Sequence, residues 1–577
     1  MKFLVFISAI VVLSILVFPV TDFDIWFHLE DGKSIVENRQ APTKDLYSYT
    51  AQGNPVISNS WGFAAASYLI YKAAGLQTLN AIKAFFAFLI FLAIIYYLHK
   101  KKWLNLASLT FVVFSFFLMR PNFNLRPHTI SFLLFTIFLI LLFEYKEKRN
   151  YKYIFLIALT QLLWVNVHAS FVLGLGFAGL FVLSDTVSQR KIDKKNVVLI
   201  SLVFLASLIN FFYGYQFLIK TISDYFAPAE FHPPIREFIK PDIRSFLSVE
   251  GIVLISGWII TALYSFKKRR FDILLILLSI TVISLNGSRF LRYLMLFLCL
   301  TAPAYFKEIP IPKIKFQLPQ KVLAASYLIF LFGIFIAAKN SPLGIGLGLD
   351  KYSYPVKAVE FMEKENLLGR SNGNLYNTYN FGGYLIWALY PEHKVFLDGR
   401  VEPYVGNSKV FANYWSNFEG GDPWKESVNK YNITVALMTP PHVNSNTLYD
   451  DSSRMFPNEE WAPIYFDDNA LIYVKRIPEL RDVINNFEYK TLNPQEVNIA
   501  YLGDKVKDEE SFNNAMKETD RALSLNPDSY KLHFALAYLF GIVNAKDQMT
   551  AELNKTLEIN PYFQSAREIL KQVEQVN

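Results

Sequence analysis

Eleven apolar runs dominate this chain, at roughly residues 3–20, 79–98, 103–119, 128–144, 153–167, 170–184, 196–213, 248–266, 271–287, 290–306 and 321–338. About twenty apolar residues cross a hydrocarbon core, so runs near that length predict a polytopic α-helical membrane domain over 1–338 with about eleven transmembrane helices. Composition agrees, because only 18% of residues are charged against 53% hydrophobic, too apolar a balance for an ordinary soluble chain. The net charge of +8 does not point to nucleic acid, since Lys and Arg fall in short clusters between the runs. With residue 1 in the cytoplasm, Lys100 to Lys102, Lys146 to Lys152, Arg190 to Lys195, Lys267 to Arg270 and Lys307 to Lys321 all lie on the cytoplasmic side. Counting Trp61 to Leu76 as a span would send every cluster outside, so it reads as an interfacial or half-buried helix. Phe18-Pro-Val-Thr21 lacks the small residues of a cleavage site, and the first run is expected to be an uncleaved anchor. Cys299 is the only cysteine, which leaves no internal disulfide and no thiolate metal site.

Beyond the last run, Gly344, Gly346 and Gly348 mark a linker over 339–350, and an outward-facing α/β domain is expected over 351–480. Helices are predicted at Val356 to Glu365 and Gly383 to Tyr390. Strands are predicted at Asn374 to Tyr376, Lys394 to Leu397, Thr434 to Met438 and Ala470 to Val474. No glycine-rich phosphate fingerprint opens a helix there, which argues against a nucleotide enzyme. Over 496–577, Ala522-Leu-Ser-Leu-Asn-Pro527 recurs as Thr556-Leu-Glu-Ile-Asn-Pro561. The interval is the tetratricopeptide period, so a short helical repeat is expected, either presenting a groove to a protein partner or serving as a cap.

The unusual polar residues gather on the outward side. Asp22, Asp24 and His28 follow the first run; Arg120, Arg126 and His128 lie between the third and fourth helices. Asn166 and His168 lie between the fifth and sixth, Arg289 and Arg292 between the ninth and tenth, and His232, Arg236 and Lys240 in the long loop from Tyr213 to Phe246. Acidic residues at the mouth of a membrane bundle are costly and usually do chemistry. Guanidinium groups there suit a phosphate or diphosphate headgroup, and a carboxylate opposite them suits a base for an acceptor hydroxyl. Each also has a plainer role: Asp22 and Asp24 as caps of a helix from Ile25 to Asn38, Arg120 and Arg126 as arginines reaching lipid headgroups, His168 as a structural histidine, and Asp398-Gly-Arg400 as a strand end.

The run Asp22 to His28, with Gly32, Pro42-Thr-Lys-Asp45, Tyr47-Ser-Tyr-Thr50, Gly53-Asn-Pro55 and Trp61, resembles the first outer loop of the C-type (GT-C) glycosyltransferases. That superfamily includes protein O-mannosyltransferases, the aminoarabinose transferases of lipid A and oligosaccharyltransferase catalytic subunits. Leu125-Arg126-Pro127-His128, Trp164-Val-Asn166-Val-His168, Asn377-Thr-Tyr-Asn-Phe-Gly-Gly-Tyr384 and Val395-Phe-Leu-Asp-Gly-Arg400 resemble an uncharacterised bacterial and archaeal membrane family assigned to glycosyltransferases. The resemblance implies outward-facing transfer of a sugar from a polyprenyl-phosphate or polyprenyl-diphosphate donor to a glycan, lipid or protein acceptor, with the stereochemistry open. It implies catalysis by the acid after the first helix, matched here by Asp24 with Asp22 as its competitor and His28 beside them. Arg126, Arg120, Arg292 and Arg289 would bind the donor phosphate; His128, Asn166 and His168 would orient substrate; Asp398 and Arg400 are candidates in the outer domain. Asp22 and Asp24 could hold a divalent cation, Mg or Mn, which some members use and others do without. The rival readings are a transporter or flippase of a lipid-linked sugar and a non-catalytic envelope assembly protein.

Overall fold

The computed structural model describes residues 1–225, 240–306, 319–404, 409–440, 453–492 and 506–575. The chain forms two compact units. One contains Met1–Thr43 and Pro55–Asp350; the other contains Lys44–Asn54 and Lys351–Asn577.

Among the described residues the first unit is built of helices and their connections. Its helices are α1 (Lys2–Leu16), α2 (Asp24–Asn38), α3 (Trp61–Lys100), α4 (Leu106–Met119), α5 (Pro127–Lys148), α6 (Tyr151–Val165) and α7 (Val172–Gln189). They continue as α8 (Lys194–Ser207), α9 (Tyr215–Tyr225), α10 (Val249–Lys267), α11 (Phe271–Asn286), α12 (Leu291–Thr301) and α13 (Gln320–Lys339). Each of the eleven apolar runs falls on a helix. By length and composition α3, α5, the stretch Ala169–Gln189, α10 and α13 can cross a membrane, while α1, α4, α6 and α11 are apolar but shorter. Fifteen helical residues reach about 22 Å, less than a hydrocarbon core of about 30 Å. Side chains such as Phe3, Phe6, Ile329 and Phe332 stay exposed on the outer faces of α1 and α13, as lipid contact requires. Local chemistry sets the helix starts: the side chains of Asn105, Asn150, Asp193 and Ser248 cap α4, α6, α8 and α10.

Gly75 breaks α3 with φ 74°. The part before it, from Trp61, lies along α2 in the same direction: His28 meets Phe63, Gly32 meets Ala64 and Glu37 bonds Tyr68. The chain after α13 returns to the end of α1. Gly346 N donates to Val17 O at 3.1 Å, Val20 N to Gly348 O at 2.8 Å and Asp350 N to Val20 O at 3.0 Å. This short parallel strap ends two residues before Asp22.

The second unit is built on a four-stranded sheet of order β1-β2-β4-β3, from β1 (Asn374–Asn377), β2 (Ile433–Met438), β3 (Trp461–Phe466) and β4 (Leu471–Lys475). β1 and β2 are parallel; β4 is antiparallel to both its neighbours. Helices α14 (Val356–Lys364), α15 (Leu367–Ser371), α16 (Gly382–Leu389), α17 (Lys409–Asn417), α18 (Gly421–Tyr431) and α19 (Arg481–Phe487) accompany it. One expected strand is absent. Lys394 to Leu397 bends at Phe396 and makes a single bridge, Ser48 with Val395, instead of a ladder. The cause is Asn377, whose side chain accepts from Phe396 N and donates to Leu397 O, taking the place of a neighbouring strand's backbone.

Four C-terminal helices follow at Glu509–Leu525, Tyr530–Ile542, Lys546–Ile559 and Gln564–Gln575, with Asn526-Pro527 and Asn560-Pro561 in corresponding turns. They share a core with the sheet. Ala515, Ala522, Leu532 and Leu539 pack in one cluster with Tyr376, Trp461 and Tyr473, and buried Glu518 accepts the backbone N–H groups of Lys490, Thr491 and Leu492. Residues 496–505 of the expected repeat region lie outside the described residues.

Candidate functional site

The acidic segment is held from both sides. Behind it, Asn80 Nδ2 and Lys83 Nζ, three residues apart on α3, both donate to Phe18 O at 3.1 Å. Ahead of it, Asp22 Oδ1 accepts Asp24 N at 2.8 Å in an Asx turn that leads into α2, whose N-cap residue is Phe23 and carries no side-chain cap. Its other oxygen, Oδ2, is ion-paired with Arg126 Nε, and Arg126 Nη2 reaches Asp24 Oδ2 at 3.1 Å. Arg126 precedes Pro127 at the start of α5 in an extended conformation, which projects the residue out of the helix. One guanidinium thus spans two carboxylates. The Asp22 side chain is 1% exposed and that of Asp24 25%, which makes Asp24 the reachable acid.

Three histidines stand near this group. His28 lies one helical turn after Asp24, buried between the rings of Phe27 and Phe63. Burial first, then Arg126 and His128, push its pKa down to about 3. Burial, then His128, Arg289 and His28, lower His168 to about 3 as well. Those mutual influences place His28, His128, His168, Arg126 and Arg289 in one electrostatic neighbourhood. His128 Nε2 lies 2.9 Å from Asn122 O, and because a carbonyl only accepts, Nε2 is the donor.

Other expected residues are elsewhere or otherwise engaged. Arg120 is buried, donating to Ile15 O at 2.6 Å, Ala338 O at 3.1 Å, Ser341 Oγ at 2.7 Å and Gly344 O. It ties α1 to α13 and the strap; its hydrogen-bonding capacity goes to the fold rather than to a phosphate. Asn166 uses its whole amide in holding loops: Nδ2 on Leu162 O and Ile209 O, Oδ1 on Trp61 Nε1 and Phe211 N. Arg292 is paired with Glu250 across α10 and α12. In the second unit Asp398 and Arg400 form a closed network: Arg400 makes two 2.8 Å bonds to Asp398 and one of 2.7 Å to Asp45, and Tyr404 donates to Asp398. Asp45 in turn accepts Ser48 N and Oγ. These charges pair with one another and hold Lys44–Asn54 in the unit. Lys240 is exposed; His232 and Arg236 lie outside the described residues. The sequence reading overlooked Asn80 and Lys83, although a Lys and an Asn three residues apart inside an apolar run are a visible signal.

Asp22 and Asp24 are hard oxygen ligands, and a magnesium-type ion is commonly held by one or two carboxylates with substrate phosphates completing its shell. Among the described residues no three His, Cys, Asp or Glu side chains gather round one point. A divalent cation would compete with Arg126 for both carboxylates.

The fold has known counterparts. Archaeal oligosaccharyltransferase AglB from Archaeoglobus fulgidus, in complex with an inhibitory peptide and a dolichol-phosphate, superposes with TM-score 0.52 at 11% identity, over 94% of this chain and 86% of that one. The crystal structure of an oligosaccharyltransferase of the same organism, tethered with an acceptor peptide containing the NVT sequon, gives TM-score 0.50 at 11% identity, over 82% of this chain and 74% of that one. At this identity the likeness is one of fold alone, the fold of these archaeal oligosaccharyltransferases. No protein-family model and no curated relative matches the chain.

Proposed function

On the premise of that shared fold, we propose that the chain is a C-type membrane glycosyltransferase. It moves a sugar from a polyprenyl-phosphate or polyprenyl-diphosphate donor to an acceptor on the outer face of the cytoplasmic membrane. The observation that carries this reading is the Arg126 guanidinium lying on Asp22 and Asp24 at the start of α2. In the reaction the acceptor's nucleophilic atom bonds to the anomeric carbon and passes its proton to Asp24. The bond from that carbon to the phosphate oxygen breaks, and its electron pair leaves on the phosphate. Arg126, holding Asp22 through Nε, turns the rest of its fork to the developing phosphate charge. Asp22 orients Arg126, and His28 lines the approach as a neutral ring.

The test is transfer by the full-length protein in lipid bilayers. It is offered a panel of polyprenyl-linked sugars with envelope extracts as acceptors, and mass spectrometry follows the donor. Asp24→Asn should cut turnover by about 10²–10⁴-fold, the range for loss of a general base. Arg126→Ala should raise the donor KM tenfold or more, since a hydrogen bond to a charged group contributes about 1.5–3 kcal/mol. With Arg126 supplying the positive charge, chelation by EDTA should leave the rate unchanged; loss restored by Mn or Mg would give Asp22 and Asp24 to a metal instead. Intact donors, one of which crosses the bilayer, would replace the enzyme with a transporter.

A further inference from the structure

A closed polar cluster from four elements lies against His168, and the reaction above makes no use of it. Ser170 follows two residues on; Ser131 belongs to α5, Trp164 to α6 and Tyr293 to α12, and all four are buried. The Tyr293 hydroxyl is 2.8 Å from Ser170 Oγ and 2.9 Å from Ser131 Oγ, the two serines are in hydrogen-bond contact, and Trp164 Nε1 donates to Ser131 Oγ at 2.7 Å.

Counting donors determines the protonation of the ring. An indole N–H only donates, so Ser131 accepts from Trp164. His168 Nδ1 accepts the backbone N–H of Ser170 at 3.2 Å, and a ring nitrogen that accepts carries no proton. Ser170 Oγ, 2.7 Å from the same Nδ1, therefore donates to it; Tyr293 donates to Ser170, and the Ser131 proton goes to the Tyr293 or the Ser170 oxygen. Every hydroxyl proton is used once, as a buried polar network requires. The ring's own proton is left on Nε2, which bonds to none of the described residues and belongs to a half-buried side chain.

We propose that His168 is a tautomer-locked Nε2–H donor to a phosphate oxygen of the lipid-linked donor, with Ser170, Ser131 and Tyr293 as the positioning residues that hold it so. The proposal rests on the glycosyltransferase reading above. A phosphate oxygen has only lone pairs to offer, and a neutral N–H meets it without adding to the positive charge that Arg126 and Arg289 already bring.

Nitrogen-15 NMR of histidine-labelled full-length protein in bilayers tests the lock directly. His168 should show the Nε2–H form alone across the neutral pH range, and Ser170→Ala should mix the two tautomers. Polyprenyl phosphate by itself, used as the probe, should shift the Nε2 resonance. In transfer assays His168→Gln, whose amide N–H falls near Nε2, should keep the donor KM within about threefold, whereas His168→Asn, which mimics Nδ1, should raise it about tenfold, the worth of one such bond. An Nδ1–H or doubly protonated ring overturns the lock. A locked ring that polyprenyl phosphate leaves unshifted, or rescue by Asn equal to Gln, overturns the phosphate contact. If Asp24→Asn is silent while the tautomer and its shift persist, the catalytic reading fails and the donor contact stands.

Discussion

At the scale of single residues, His28 carries a pH dependence whose sign follows from burial. In the unfolded chain its imidazole titrates near 6.5, and in the fold burial and Arg126 push it down to about 3. Between those values the unfolded chain holds a proton that the folded one does not, so this contribution to stability is full above about 6.5 and is lost as pH falls toward 3. The heat-unfolding midpoint of the detergent-solubilised protein should therefore fall on acidification through that window, and His28→Phe should flatten the slope. A midpoint that rises on acidification would show that the ring is not held neutral. Arg120 and Arg126 make the complementary point. Both are loop arginines beside an apolar run, alike by sequence, yet one holds main-chain carbonyls and the other two carboxylates. Only their partners tell them apart, and the partners come from α1, the end of α13 and the strap after it, and the start of α2 with the Asp22 before it, remote in the chain.

At the scale of elements, the placement of the acids depends on how closely α2 lies on the first part of α3. A Cβ built on Gly32 would sit 2.1 Å from Ala64 O and 2.8 Å from Tyr68 Cβ, a clash with main chain that no rotamer relieves. Gly32→Ala should destabilise the protein by about 1–3 kcal/mol and, by moving α2, reduce transfer more than donor binding. Thermal unfolding beside transfer assays would check it; an unchanged midpoint would mean the two helices separate freely. The break in this helix was legible in the sequence: the stretch Trp61 to Leu76, read apart from the spans, ends beside Gly75. Strand β3 was not. It contains Pro463, where its register with β4 slips, and it is buried on both faces, so neither continuous pairing nor alternation marks it.

At the scale of the whole molecule, Lys44–Asn54 leaves the helical unit and is built into the second one through Arg400. Arg400→Ala would strand Asp45 and Asp398 as buried carboxylates without their counter-charge, a loss of about 3–5 kcal/mol. Heat unfolding should show the lowered midpoint, and limited proteolysis should newly cut within residues 44–54. An Arg400 that served a ligand would leave both unchanged. By itself the sequence determined the membrane-spanning character, the order of the helices, most of the sheet, the 34-residue interval in the C-terminal helices and the recurrence of acids, arginines and histidines in the loops between the apolar runs. These follow from length, periodicity and charge, which are local properties of the chain. Tertiary structure alone decided that Arg126 bridges Asp22 and Asp24 while Arg120, Asn166, Arg292 and Arg400 are committed to the fold, and that three hydroxyls set the proton on His168. A hydrogen bond needs two groups within about 3 Å, and residues tens or hundreds of positions apart reach that distance only when the helices that bear them have packed.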